Sequence, residues 1–262
     1  MQPVGRLCPM GRQPLSEQTK RDNRASRANL QSTKRMPIIE TINGIDRQLL
    51  TAINTDGLAS SDVFWSLYTD KMTWIPLALV ALWCLLRPGN TQHRVVMLFS
   101  LGLLVFLSDF VVSEFIKHAI CRLRPSHDPA VMNLLTYVDD YRGGAYGFPS
   151  NHASNGFAIA TFLTLVMRRP AVSIAAYLWA CGSCYSRLYM GVHYPTDILC
   201  GALLGVLIAL SVCWLYRRAV RRLLLPPGTR LYSGRAPLSI VIIWLLTVVV
   251  LMAVSLLIPR TV

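Results

Sequence analysis

The sequence predicts an all-α membrane protein: a polytopic membrane helix bundle of about six transmembrane helices, preceded by an N-terminal interfacial amphipathic helix. Three observations predict it. First, 53% of the 262 residues are hydrophobic, only 15% are charged, and mean hydropathy is +0.43, a composition suited to lipid rather than water. Second, the apolar residues gather into six runs, near residues 73–87, 95–116, 152–168, 171–187, 196–216 and 238–258, of 15 to 22 residues against the ~20 that span a bilayer. Third, the hydrocarbon offers the backbone no hydrogen-bond partner, so each run must satisfy itself as a helix.

The elements follow in order. Residues 1–35 hold eight Lys/Arg against two acidic residues and no apolar periodicity. They read as a disordered basic tail, or as residues preceding a functional start at Met36. Residues 38–54 place Ile38, Ile39, Ile42, Ile45, Leu49, Leu50 and Ile53 at helical spacing among Glu40, Asn43, Asp46, Arg47 and Gln48. That pattern is an amphipathic helix, lying in the membrane interface or packed on a neighbouring surface. Residues 36–216 then form the core, and 217–262 a basic cytoplasmic loop with a final transmembrane helix.

Charge sets the orientation. The connections after the first, third and fifth runs carry Arg87, Arg94, Arg168, Arg169, Arg217, Arg218, Arg221, Arg222, Arg230 and Arg235. The positive-inside rule puts them in the cytoplasm and the alternate connections outside. The net charge of +13 is accounted for by these loops and the tail, so nucleic acid is not an expected partner. Of seven cysteines, Cys84, Cys181, Cys184, Cys200 and Cys213 fall in apolar runs and behave as small hydrophobes. Cys181 and Cys184 match a C-x-x-C spacing, but no second pair or histidine accompanies them, and no disulfide framework is indicated.

The polar residues at the outward ends carry the chemistry. They are Lys117 and Arg124 after the second run, Ser150, Asn151 and His152 at the start of the third, and Arg187, His193 and Asp197 around the stretch SRLYMGVHYPTD. Lys117, Arg124 and Arg187 form a cation set without matching carboxylates, which suits a phosphate. Ser150 is a good N-cap, and the helix start behind it offers N–H groups to an anion. His193 and Asp197 are four apart across Pro195, so Asp197 can fix the His193 tautomer and raise its nucleophilicity. His152 is left to protonate a leaving oxygen. Two histidines and one aspartate among three cations do not suit a divalent metal, so no metal or other cofactor is expected. Arg122 reads as snorkelling to headgroups, and His93, His118 and His127 as ordinary span-end residues. Glu114 lies one turn before Lys117 and can pair with it; Asp109 has no evident role beyond bonding across helices or supporting the site.

These residues resemble a known signature. Lys117-x6-Arg124-Pro125, Pro149-Ser150-Asn151-His152 and Ser186-Arg187-x5-His193-x3-Asp197 are similar in order and spacing to the three motifs of the type-2 phosphatidic acid phosphatase superfamily. The stretches YGFPSNHASNGFAIATFL and YSRLYMGVHYPTDILCGALLG look like small bacterial membrane members, and the resemblance extends over roughly residues 36–216. It implies that His193 attacks phosphorus, Asp197 orients it, His152 protonates the leaving group, and Lys117, Arg124, Arg187 and the Ser150 turn hold the phosphoryl oxygens without metal. Asn151 stands where the family commonly has glycine; its N–H is kept, and its side chain can add a donor. The expected activity is hydrolysis of a lipid phosphate or diphosphate (undecaprenyl diphosphate, lipid A phosphate or phosphatidylglycerol phosphate) at the outer face of a bacterial inner membrane. Residues 126–148, glycine-containing and expected to be mobile, would choose among these lipids. Phosphoryl or headgroup transfer from the same site is the alternative. An anion transporter is a remote one, needing charges deep in spans. Oligomeric state is not readable from the sequence.

Overall fold

The computed structural model describes residues 37–54, 58–223, 232 and 234–258. The tail 1–35 and most of the loop after residue 223 lie outside the described residues, as does the side chain of Glu114. Eight longer helices account for most of the described chain: α1 (Pro37–Ile53), α2 (Ala59–Thr69), α3 (Ile75–Leu86), α4 (Thr91–Phe110), α5 (Asn151–Met167), α6 (Pro170–Tyr189), α7 (Pro195–Leu223) and α8 (Leu238–Leu257). All six apolar runs are helical, and the architecture is the all-α membrane bundle the composition predicts.

Among the described residues, three helices are long and apolar enough to cross a membrane alone: Thr91–Phe110, Pro195–Arg221 and Leu238–Leu257. A fourth candidate span is broken, with Ala59–Thr69 meeting Met72–Leu86 at 68°. α2 does not stand out as an apolar run of its own, because ASSDVFWSLYT interrupts its apolar residues with serine and aspartate. The bend is held locally. Asp70 accepts from the Met72 N–H at 3.0 Å, Thr73 Oγ1 donates to Leu67 O at 2.8 Å, and Trp74 Nε1 donates to Tyr68 O at 2.7 Å.

α5 lies at the centre, packed on α6 and most extensively on α7, with α4 closing the far side. The close α5–α7 approach depends on Gly201 and Gly205, one turn apart on α7. A Cβ on either would collide with the backbone carbonyl of Ser150 or Ser154 on α5. This is the G-x-x-x-G solution to helix contact in lipid, where small residues let backbones meet. Phe162, Met97, Leu104, Val172 and Val212 fill the core between these helices. At the end of the bundle away from the motifs, the buried His93 pairs through Nε2 with the Tyr216 hydroxyl at 2.8 Å.

α1 is amphipathic in the sense predicted, and one of its faces packs on the protein's own bundle. Asp46 and Leu50 are buried against the bundle, while Ile39, Ile42, Ile45 and Leu49 are exposed on the other side. An exposed isoleucine stripe beside a bundle of this composition suits the acyl–headgroup boundary.

Candidate active site

Four segments converge at the end of the bundle where α4 finishes and α5 and α7 begin. α4 continues through a π-helical turn, Val111–Ile116, into a short helix, Lys117–Ile120. Lys117 therefore sits at its mouth, half-buried, with Arg124 seven residues on in extended backbone. Burial foremost, then Arg124, lowers the Lys117 ammonium from its ordinary 10.5 to about 8, with Asp109 and Asp197 pulling it back up.

Ser150 caps α5: its Oγ accepts from the Ala153 N–H at 3.5 Å, and its own N–H donates to Asp197 O at 2.9 Å. The α5 and α7 starts are thus tied directly. Asn151 Nδ2 donates to Asp109 Oδ1 at 2.9 Å, and Asn155 Nδ2 approaches the same oxygen at 3.4 Å. Asp109 accordingly supports the site from α4. One N–H of the Asn151 amide is therefore engaged by Asp109.

His193 and Asp197 are essentially inaccessible, at 1% and 0% exposure. His193 Nε2 lies 3.0 Å from Arg124 Nη1, and its Nδ1 lies 3.5 Å from Asp197 Oδ2. The second distance is longer than a hydrogen bond. An arginine can only donate, so Nε2 carries the lone pair and Nδ1 the proton. Burial, followed by the charges of Arg124, Arg187 and Lys117, holds the imidazole well below its ordinary 6.5 and hence neutral.

Arg187 is buried at the end of α6. Its Nη1 donates to Thr69 Oγ1 at 3.0 Å, its Nη2 to the Tyr141 hydroxyl at 3.4 Å, and the guanidinium lies over the Tyr141 ring. Its Nε has no hydrogen-bond partner among the described residues, a donor left unused in a buried place. Arg187, His193, Lys71 and Arg124 are near enough to act electrostatically on His152, which opens the α5 helix beside Ser150. Lys117, Arg124, Ser150, Asn151, His152, Arg187, His193 and Asp197 are therefore gathered at one end of the bundle. Among the described residues, no three His, Cys, Asp or Glu side chains form a group suited to a metal ion.

The structure corrects two expectations. Arg122 does not snorkel: it lies between Asp197 and Asp46, at 2.8 Å and 2.6 Å. Residues 126–148 are pinned to the site rather than loose. Ser126 Oγ donates to Arg142 O at 2.6 Å, Asp128 accepts from Arg47 at 3.0 Å and from the Tyr194 hydroxyl at 2.6 Å, and Arg124 N–H donates to Ala145 O at 2.9 Å. Two of its glycines, Gly143 and Gly147, serve close approach to Arg124. Gly147 backs onto Asp197 Oδ2 and Arg124, where a Cβ would lie 3.0 and 3.1 Å away. The sequence reading also missed Asp46, Thr69 and Lys71, since nothing in local spacing ties a residue of α1 or the α2–α3 bend to motifs some fifty residues or more away.

Comparison with known proteins defines the class. The PAP2 superfamily model matches residues 95–222. A lipid A 4'-phosphatase of Bacteroides thetaiotaomicron is 36% identical over 169 residues, covering 64% of this chain and 75% of that protein. The chain belongs to the type-2 phosphatidic acid phosphatase (PAP2) superfamily. A lipid A 4'-phosphatase of Porphyromonas gingivalis is 31% identical over 69% of this chain and 78% of its own. The fold matches the crystal structure of a transmembrane PAP2-type phosphatidylglycerolphosphate phosphatase from Bacillus subtilis, with TM-score 0.51 and 23% identity over 69% of this chain and 89% of that one.

Proposed function

We propose that this PAP2-type lipid phosphatase removes a phosphate from a lipid headgroup at the outer face of a bacterial inner membrane, through a phosphohistidine on His193. The observation that carries the reading is the buried His193, whose Nε2 lies 3.0 Å from Arg124 Nη1 inside a set of cations. A phosphate entering that set takes the arginine donors, including the spare Nε of Arg187, and puts phosphorus in front of Nε2. Nε2 attacks phosphorus, and the bond to the lipid oxygen breaks. Asp197 stabilises the Nδ1–H imidazolium as positive charge develops there. The substrate's charge offsets the surrounding cations, so His152 can carry the proton it gives to the leaving oxygen. Water then attacks the phosphohistidine, returning a proton to His152 and releasing inorganic phosphate. Lys117, Arg124, Arg187 and the first turn of α5 hold the equatorial oxygens as charge spreads over them.

The leading substrate is the 4'-phosphate of lipid A, because two relatives matched over three quarters or more of their own length carry that name. An undecaprenyl-diphosphatase of Sulfolobus acidocaldarius, 29% identical over 62% of this chain and 74% of its own, makes undecaprenyl diphosphate the first alternative. The outward orientation rests on the ten arginines of the opposite connections. The test is phosphate release by detergent-purified protein in EDTA, with lipid A, undecaprenyl diphosphate and phosphatidylglycerol phosphate in parallel, beside His193→Ala. Release from lipid A that EDTA spares and His193→Ala abolishes is expected. Release from none of the three by folded protein would overturn the assignment, and loss in EDTA would overturn the metal-free chemistry.

A further inference from the structure

Asp197 is a fully buried carboxylate, and a charge so placed needs partners of good geometry. Its Oδ2 accepts from the Tyr194 N–H at 3.0 Å and faces His193. Its Oδ1 is held by Arg122 Nη1 at 2.8 Å. The same guanidinium reaches Thr196 Oγ1 at 2.6 Å, Asp46 Oδ2 at 2.6 Å and Asn43 Oδ1 at 3.0 Å, and stacks 4.5 Å over the Tyr194 ring. Asp46, only 1% exposed, also accepts the Thr196 N–H at 3.0 Å and the Thr196 hydroxyl. The N–H it accepts belongs to the first turn of α7, so a residue of α1 caps the helix that carries Asp197.

From this geometry we propose that Asp46 and Arg122 are positioning residues for the His193–Asp197 pair. Asp46 fixes the helix turn bearing Asp197 and, through Arg122, the free side of its carboxylate. Asn43 and Asp46, on one face of α1, thereby make that helix a strut of the active site, while its isoleucine face looks outward. With the charge at Asp46 removed, Arg122 is held by one carboxylate instead of two. It then draws Asp197 away from His193 Nδ1, which already stands at 3.5 Å. Neither residue touches the phosphate, so the loss falls on the chemical step rather than on binding.

The inference rests on the reading of His193 as nucleophile, and the experiment separates the two. Steady-state kinetics of full-length Asp46→Asn on 32P-labelled lipid substrate should show kcat lowered about tenfold to a hundredfold, the scale of an ångström's misplacement, with KM within about twofold of wild type. A unit acts non-additively, so Asp46→Asn should lose most of its effect in an Asp197→Asn background. A merely structural role would give equal losses in both backgrounds, and that result, or an unchanged kcat, overturns the proposal. If Asp46→Asn does not accumulate folded protein, Thr196→Val removes the hydroxyl between Asp46 and Arg122 and is read by the same two criteria. His193→Ala is run beside them. Activity retained there overturns the nucleophile assignment, whereas an inactive His193→Ala with intact Asp46→Asn overturns only the strut.

Discussion

Gly201→Ala is the sharpest test of how the bundle sets the site. Gly201 lies one helical turn beyond Asp197 on α7, and the start of α5 rests on it. An alanine methyl there would meet three groups at once: the Ser150 carbonyl at less than 3.0 Å, Ala153 Cβ at 3.1 Å and Ser150 N at 3.2 Å. Two of these are backbone, so no rotamer change relieves the clash, and the α5 N-terminus must retreat as a unit. Overpacking of this kind costs about 1–3 kcal/mol. The retreat also stretches the 2.9 Å bond from Ser150 N–H to Asp197 O and carries His152 away from His193. A shift of about 1 Å at reacting groups costs on the order of a hundredfold in rate, equivalent to about 2.7 kcal/mol. The assay pairs phosphate release with thermal unfolding in detergent. Gly102→Ala on α4, where the added Cβ meets nothing within 4 Å, is the control and should keep full activity. Gly201→Ala with wild-type rate and melting temperature would refute the claim that this glycine sets the α5–α7 spacing.

Two further outcomes follow from the electrostatics. Lys117 is held at about 8, so it is charged below that pH and loses its charge above it. kcat/KM should therefore fall above about pH 8 as the phosphate loses a cation. Lys117→Arg, which stays charged, should carry the plateau to higher pH; an alkaline limb unmoved by that change would exclude Lys117 as its source. Asp197→Asn keeps the shape of the site but removes the negative charge that faces His193 Nδ1, and kcat should fall on the order of 10³–10⁴-fold, by analogy with the aspartate of triads. KM should change little, and a loss confined to KM would show Asp197 to be a binding residue instead.

Much of the candidate site was legible because its residues are polar where the chain is otherwise apolar. His193 and Asp197 stand out between α6 and α7, as do Ser150 to His152 at the start of α5 and the Lys117–Arg124 pair. Each group also carries its own local logic: a cap, an i,i+4 pair, a cation cluster. Asp109 could be flagged but not explained, because its partners Asn151 and Asn155 lie on another helix. Arg122 was misread because a single arginine at a span end looks the same whether it faces headgroups or two buried carboxylates. Residues 126–148 were misread because glycine permits mobility and close approach alike, and only the neighbours decide which.

By itself, then, the sequence determined the membrane class, the helical state of each apolar run and which polar residues to look for at one end of the bundle. Those properties follow from composition, from backbone satisfaction in lipid and from contacts within one or two turns. The tertiary structure alone decided the bend between α2 and α3, the α5–α7 contact through Gly201 and Gly205, and the clamp of Asp46 and Arg122 on Asp197. These join groups up to 150 residues apart, and which distant partner a buried charge or a glycine meets is fixed only when the helices pack.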